Sequence, residues 1–479
     1  MEQKEIQKSF RKDDYLEILE YSFSDLLRLS KGDKEIFDEL YYNRDHEFID
    51  FCDTAKKLYH NGNNILIIGA AGIGKSNYVY RLFYNKSLLT ECKLYPIMFD
   101  FRTISPNNLD GWKLHFINEL EHFFQDIDYK VNLKENTIAN LNDNLYKIQL
   151  QFKQISDKKL NKHPILFIDD LDYAEEEQLF ELLDFLSPYA RNEKVSIILS
   201  VRPPLYYAIQ QNDFKYHFLF TSNVKKITLA PLHIHNVLTM RLSPLVCMPK
   251  KHTLFERIFN LKSKDSKYQK LLKKLGIDNL DTLKEFEYPF TDAFANFMSK
   301  VTDGNLREVF DIAIDSLTFI LENYDDLVSE KELHSDSTRK VLSEKNIVDL
   351  FMSNPDSKYK LFNLHTEINK KGNSLHYNVL EAVQSFDCSS TNGFYESLER
   401  MGHNRVNVDN ALKELARRKH RFLVSYNFTY AKDNVKEKVK YKITEKGRYY
   451  LTEISNWEDY IKVCGKSHMS LINKIKNEM

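Results

Sequence analysis

Asn64-Ile65-Leu66-Ile67-Ile68-Gly69-Ala70-Ala71-Gly72-Ile73-Gly74-Lys75-Ser76 is the stretch on which the architecture of this chain turns. Ile65 to Ile68 form an apolar run of strand character. It feeds a loop of small residues, and the loop feeds a helical pattern from Asn77 to Tyr84. The loop spells G-x-x-x-x-G-K-S. Gly69, Gly72 and Gly74 let the backbone curl so that successive N–H groups, from Ala70, Ala71 and Ile73 onward, point inward at phosphate oxygens. The helix that opens around Ser76 and Asn77 adds the positive end of its dipole. Lys75 is placed to reach the β- and γ-phosphates, and the Ser76 hydroxyl to ligate Mg2+. A strand before the loop and a helix after it are the context that separates this motif from a Gly-rich turn.

Working outward, Phe48, Phe51, Ala55 and Leu58 recur at helical spacing and place an amphipathic helix just ahead of the loop. After the loop helix, Leu94 to Phe101 reads as a second strand, with helices over Leu109–Asp126 and roughly 137–155. Pro164-Ile165-Leu166-Phe167-Ile168-Asp169-Asp170 then reads as a central parallel strand ending in an acidic pair. Asp169 is expected to hold Mg2+ from a strand neighbouring the loop strand, and Asp170 to polarise the attacking water. A helix over Glu175–Ala190 leads to the strand Val195–Val201, which Pro203 and Pro204 terminate. Ser200 and Arg202 at its tip are candidates to sense a γ-phosphate, or else a polar strand end facing water. Lys226 to Leu232 reads as a fifth strand. Strands alternating with helices specify an α/β, doubly wound parallel sheet.

Beyond residue 233 the strand signal fades into an all-α segment. A helix ends near Gly304, and the next carries Arg307 in its first turn, against the unfavourable end of the helix dipole. That placement suits an anion such as a nucleotide phosphate; pairing with Glu308 or Asp311 is the alternative. In the last third, helices over Leu375–Phe386, Gly393–Met401 and Val406–Arg418 precede two short strands, Phe422–Tyr426 and Lys440–Thr444. Three helices and a hairpin make a winged helix. Lys413 to Arg448 carries twelve basic residues against four acidic ones, in a chain whose formal net charge is -1. Arg417, Arg418, Lys419, Arg421, Lys436 and Lys438 are the expected contacts to the phosphate backbone of double-stranded DNA. Winged helices also dock proteins, so that reading stands open beside it.

At 479 residues the chain is too long for a single core. The expected division is an N-terminal extension (1–45), a nucleotide domain (46–232), a helical lid (233–325), a linker (326–345), a winged helix (346–455) and a C-terminal tail (456–479). The start lacks an apolar leader and no apolar run is long enough for a bilayer. Five dispersed cysteines suit a reduced, cytoplasmic protein with no membrane partner. His233-x-His235 lacks supporting ligands and reads as a connector rather than a metal site.

This order of parts resembles the initiator branch of the AAA+ ATPases, the origin-recognition family, and the neighbouring STAND signalling NTPases. The resemblance implies ATP and Mg2+ as cofactors and an ATPase whose nucleotide state controls the winged helix. In the STAND alternative the winged helix is a docking or autoinhibitory module, and ATP drives homo-oligomerisation or engagement of a protein effector. Arg44-x-x-Glu47 resembles the initiators' adenine-side entry segment, and Gly304-Asn305-Leu306-Arg307 their lid motif, whose arginine senses nucleotide. Ser200-Val201-Arg202-Pro203 is closer to the STAND strand end, which implies a γ-phosphate contact from Arg202. One departure stands out: Pro203 to Val224 contains no arginine to act as a finger in trans, which favours slow, switch-like hydrolysis.

Overall fold

Every residue of β1 (Asn64–Ile68) is buried, because a run of Ile and Leu in a parallel sheet meets apolar neighbours on both faces. The computed structural model describes residues 37, 41, 44–61, 64–101, 111–134, 138–154, 162–171, 176–190, 195–203, 205–206, 224–246, 292–322, 344–365, 369, 373–386, 392–417, 420–425 and 441–464. They fall into two compact units, one taking in Phe37 and the described residues of Asn43–Pro231, the other Tyr41 and those of Leu232–Met479.

The first unit is a five-stranded parallel sheet in the order β2-β3-β4-β1-β5. Its strands are β1, β2 (Leu94–Asp100), β3 (His163–Asp169), β4 (Ser196–Val201) and β5 (Val224–Thr228). Alternate residues feed two cores. Ile65, Ile67, Phe167 and Ile198 pack with α1 (Asp45–Asn61) and α2 (Lys75–Phe83), where Phe51 and Tyr78 rings meet at 4.9 Å. Leu66, Ile68, Ile168 and Leu199 pack on the other face against α3 (Gly111–Asp126), α4 (Leu141–Gln154) and α5 (Glu176–Ala190). Helices on both faces make the sheet doubly wound, as the alternation requires.

Two expectations are corrected here. The fifth strand begins at Val224 rather than Lys226 and ends at Thr228. Leu229 and Ala230 misled the pattern because Leu229 is buried and its N–H still bonds the Ile68 carbonyl at 2.8 Å, although the strand has ended. The carboxylate strand β3 also does not neighbour the loop strand: β4 lies between them. At about 4.8 Å per strand spacing, β1 and β3 stand about 10 Å apart, with the Ser200 strand in the gap. At the opposite sheet edge Asn64 Oδ1 accepts the Ile197 N–H at 2.9 Å, and His163 Nε2 meets Ser196 Oγ at 2.8 Å. Burial pushes the His163 imidazole down to about 4.

The second unit contains α6 (Ile234–Val246), α7 (Asp292–Thr302), α8 (Leu306–Glu322), α9 (Leu375–Phe386), α10 (Asn392–Arg400), α11 (Arg405–Ala416), the antiparallel pair β6 (Leu423–Ser425) and β7 (Tyr441–Ile443), and α12 (Glu445–Thr452). The three helices and hairpin of the winged helix are therefore present. They are not separate from the lid helices. Val301, Val309 and Leu317 share one core with Val379, Leu412, Phe422 and Tyr450. Tyr359 donates to the Val301 carbonyl at 3.0 Å, and Asp315 accepts from Ser357 at 2.6 Å. The polar composition of 326–345 suggested a break, but burial on its two flanks unites them; nearly all of that stretch lies outside the described residues.

Candidate nucleotide site and basic surface

The loop after β1 is built by backbone geometry. Gly74 caps α2 with φ 93°, and Gly72 has φ 70°, left-handed values that suit glycine. A Cβ on Gly69 would lie 3.0 Å from Ile73 Cγ2, so the hollow of the loop closes tightly behind it. Lys75 is buried, and its Nζ donates to Gly69 O at 2.9 Å and Ala70 O at 3.0 Å. The ammonium is thus held over the loop by the loop's own carbonyls. Gly69 N–H bonds Val201 O at 3.1 Å, which carries the β1–β4 ladder one rung beyond the strand.

Strand register brings the other candidates to the same sheet edge. Ile67 pairs with Ser200 and Ile68 with Val201, so Arg202 stands level with Gly69. Ile168 pairs with Leu199, which puts Asp169 level with Ser200. Since Phe167 and Ile198 face α2, Asp169 and Ser200 two residues on face that side too. Asp169 is buried, and one of its oxygens accepts the Asp170 N–H at 2.9 Å. Asp170 itself is left-handed, φ 52°, which a short polar side chain tolerates. Ser200 is fully buried, and its hydroxyl has no hydrogen-bond partner in the protein. An orphaned buried hydroxyl costs about 1–3 kcal/mol, so a ligand or water that met it here would recover that free energy. Together the loop hollow, the Ser76 and Asp169 oxygen donors and this hydroxyl fit a magnesium nucleotide.

The fold is a doubly wound parallel sheet whose first strand, loop and helix make a phosphate-binding loop. Asp100 is one residue the sequence reading passed over: it ends β2 and pairs with Asp169 in register, giving two carboxylates side by side. Its signal was available, since Phe99-Asp100 repeats the apolar-then-acid ending of Ile168-Asp169. Arg44 reaches the loop itself. Its Nη1 donates to Ala230 O at 2.6 Å and its Nη2 to Ile73 O at 2.9 Å, beneath the loop. The Glu47 side chain lies outside the described residues, as does most of the Pro203–Val224 stretch.

In the second unit Arg307 is exposed at the start of α8, and its N–H is capped by Asn305 Oδ1 at 3.2 Å. Glu308 faces away toward the hairpin, where it pairs with Arg421 and lies 3.8 Å from Lys446 Nζ. This corrects the reading of Arg421 as a phosphate contact, because its guanidinium turns inward to Glu308 and the Thr302 carbonyl. Burial lowers the Lys446 ammonium to about 8 despite Glu308. Arg417 is exposed at the end of α11, in line with exposed Lys413, Asn410 and Val406. Arg418, Lys419, Lys436 and Lys438 lie outside the described residues.

No family profile matches the sequence, and no curated protein matches it. Solved structures do resemble it. A Walker-type ATPase of Pyrococcus abyssi is 13% identical, with 84% of this chain and 93% of that one covered at a TM-score of 0.36. Cdc6p from Pyrobaculum aerophilum is 10% identical over 89% and 96% of the two chains, TM-score 0.36. The Aeropyrum pernix ORC1 protein, solved in complex with DNA, is 13% identical over 84% and 89%, TM-score 0.36. Among the described residues no helix is long and apolar enough to cross a membrane.

Proposed function

We propose that this chain is an ATP-binding and slowly ATP-hydrolysing switch whose nucleotide state governs a winged helix that binds double-stranded DNA. The carrying observation is the convergence of the Lys75 loop, the Asp169 carboxylate and the orphaned Ser200 hydroxyl at one sheet edge. Backbone amides of Gly69 to Ser76 bind the phosphates, and Lys75 neutralises charge on the terminal ones. Ser76 and Asp169 would hold the metal, which would supply charge neutralisation on the phosphates. Asp170 orients the attacking water, while Ser200 and Arg202 report the γ-phosphate. The face of α11 carrying Lys413 and Arg417 meets the DNA backbone.

The test measures ATP turnover with and without duplex DNA, following particle mass in parallel. Stimulation or suppression by DNA that fades with rising salt supports the switch. Asp170→Ala should keep ATP affinity and lose turnover; unaltered turnover removes Asp170 from the chemistry. A second reading, a signalling NTPase whose winged helix docks protein, draws on Arg421 and Lys446 being committed to Glu308 rather than to the surface. Nucleotide-dependent assembly without DNA affinity would select it.

A further inference from the structure

We propose that Arg44 is a positioning residue that aims the Gly74 amide at the phosphates, rather than a contact to the base; this rests on the nucleotide reading above. Arg44 is 8% exposed and joins two carbonyls, Ala230 at 2.6 Å and Ile73 at 2.9 Å. The first end is anchored to the sheet: Leu229, the residue before Ala230, donates its N–H to Ile68 O at 2.8 Å. Ile68 is also the last residue before the loop, so the brace spans from the base of the loop to its far side. The second end grips a peptide with one soft hinge. Rotation of the Ile73–Gly74 peptide runs through φ of Gly74, which as glycine accepts either hand. A trans peptide carries its C=O and N–H on opposite sides. Holding the Ile73 carbonyl toward Arg44 therefore fixes the Gly74 N–H in the opposite direction, away from the brace and into the loop hollow. The Ile73 side chain, 2% exposed and packed with the core of α1 and α2, secures the same residue from its other side. A guanidinium suits this role because its two Nη atoms stand apart in one rigid plane and reach carbonyls from two different segments, which the single nitrogen of an ammonium spans less readily.

A brace and a base contact differ in which ligands they affect. Binding of magnesium-ATP and of magnesium tripolyphosphate, which has no base, is measured on the full chain, on Arg44→Ala and on Arg44→Lys. The brace requires Arg44→Ala to weaken both ligands by the same factor, about tenfold, the range of a lost charged hydrogen bond. Arg44→Lys, which keeps the charge and one bond, should fall between. If Arg44→Ala does not fold, the equal loss is read on Arg44→Lys. Loss confined to ATP would overturn the brace in favour of a base contact, and unchanged affinity for both would overturn it outright. Lys75→Ala runs alongside: tripolyphosphate binding that survives that change refutes the nucleotide site itself, whatever Arg44 does.

Discussion

Lys75 in the first unit and Arg421 in the second are both cations that the sequence sets beside a helix, and both are largely buried, yet their partners differ in kind. Lys75 is held by two backbone carbonyls of its own loop. Arg421 is held by the carboxylate of Glu308, on a helix more than a hundred residues earlier. Carbonyl oxygens orient a charge without cancelling it, whereas a carboxylate cancels it. On the nucleotide reading the first arrangement presents a cation to an anionic ligand; the second ties two parts of a core together. Counting basic residues does not distinguish them, but the identity of the atom each one touches does.

The comparison breaks first at Glu308. Replacing it with Ala would leave Arg421 and Lys446 without their shared carboxylate in a largely buried place, and removing one partner of such a pair costs about 3 kcal/mol or more. Denaturant unfolding followed at Trp457 in a Trp112→Phe background reads this unit alone, since the chain has two tryptophans and each unit holds one. A loss under about 0.5 kcal/mol, the range of an ordinary surface site, would show that the cluster is not a structural tie. Lys75→Ala should behave in the opposite manner. Stability stays nearly level while magnesium-ATP affinity falls about a hundredfold, equivalent to about 2.7 kcal/mol of binding, as calorimetry would show.

The same contrast explains what could be read in advance. The strand-loop-helix at 64–84 was legible because its geometry is local: glycines that accept left-handed φ, an apolar strand and a lysine at fixed spacing act within one stretch of chain. The helices over 375–386 and 111–126 were legible from periodicity to within a residue or two. Three features were not. The insertion of β4 between β1 and β3 is a matter of strand order, which periodicity does not encode. The common core of lid and winged helix depends on contacts such as Tyr359 to Val301, far apart in sequence. Arg421 was misread because its partner lies 113 positions away, while the nearby lysines suggested a single basic surface.

Acid should separate the units by sign. His163 has a folded pKa of about 4, below its unfolded value of about 6.5, because burial disfavours the imidazolium. Its stabilising contribution is therefore present above about pH 6.5 and lost as pH falls toward 4, by about 3 kcal/mol in the first unit. Asp311 in the second unit runs the other way. Burial and the neighbouring Asp315 raise it to about 6, against the pull of Lys358. Its contribution is present below the ordinary carboxylate pKa and lost as pH rises through about 6; with screening of this partly exposed group allowed for, about 1 kcal/mol. Stability measured between pH 4 and 7 at Trp112 alone should rise with pH. Asp311→Asn should flatten the falling part of the curve read at Trp457. Parallel curves that Asp311→Asn leaves unchanged would mean that other groups dominate the titration.

The smallest expected effect is the one that decides whether the second unit has a ligand-facing cation at all. Lys413 and Arg417 are exposed on one face of α11, in line with Asn410, and the flanking acids are engaged elsewhere, Asp409 with Tyr395 and Glu414 with His376. Reversing both to Glu leaves the core untouched, so stability should stay within about 0.5 kcal/mol. If α11 lies against a duplex, affinity should fall about tenfold at moderate salt. The slope of log affinity against log salt should flatten by about 2, one unit for each phosphate contact removed. Arg421→Gln, made alongside, should lose stability and leave the salt slope alone, because its charge already belongs to Glu308. If instead the Lys413 and Arg417 reversal leaves both affinity and slope unchanged, the exposed cations of α11 meet no DNA backbone. Among the described residues of this unit, Arg421 and Lys446 then serve packing around Glu308, and the α11 cations are left to a protein partner.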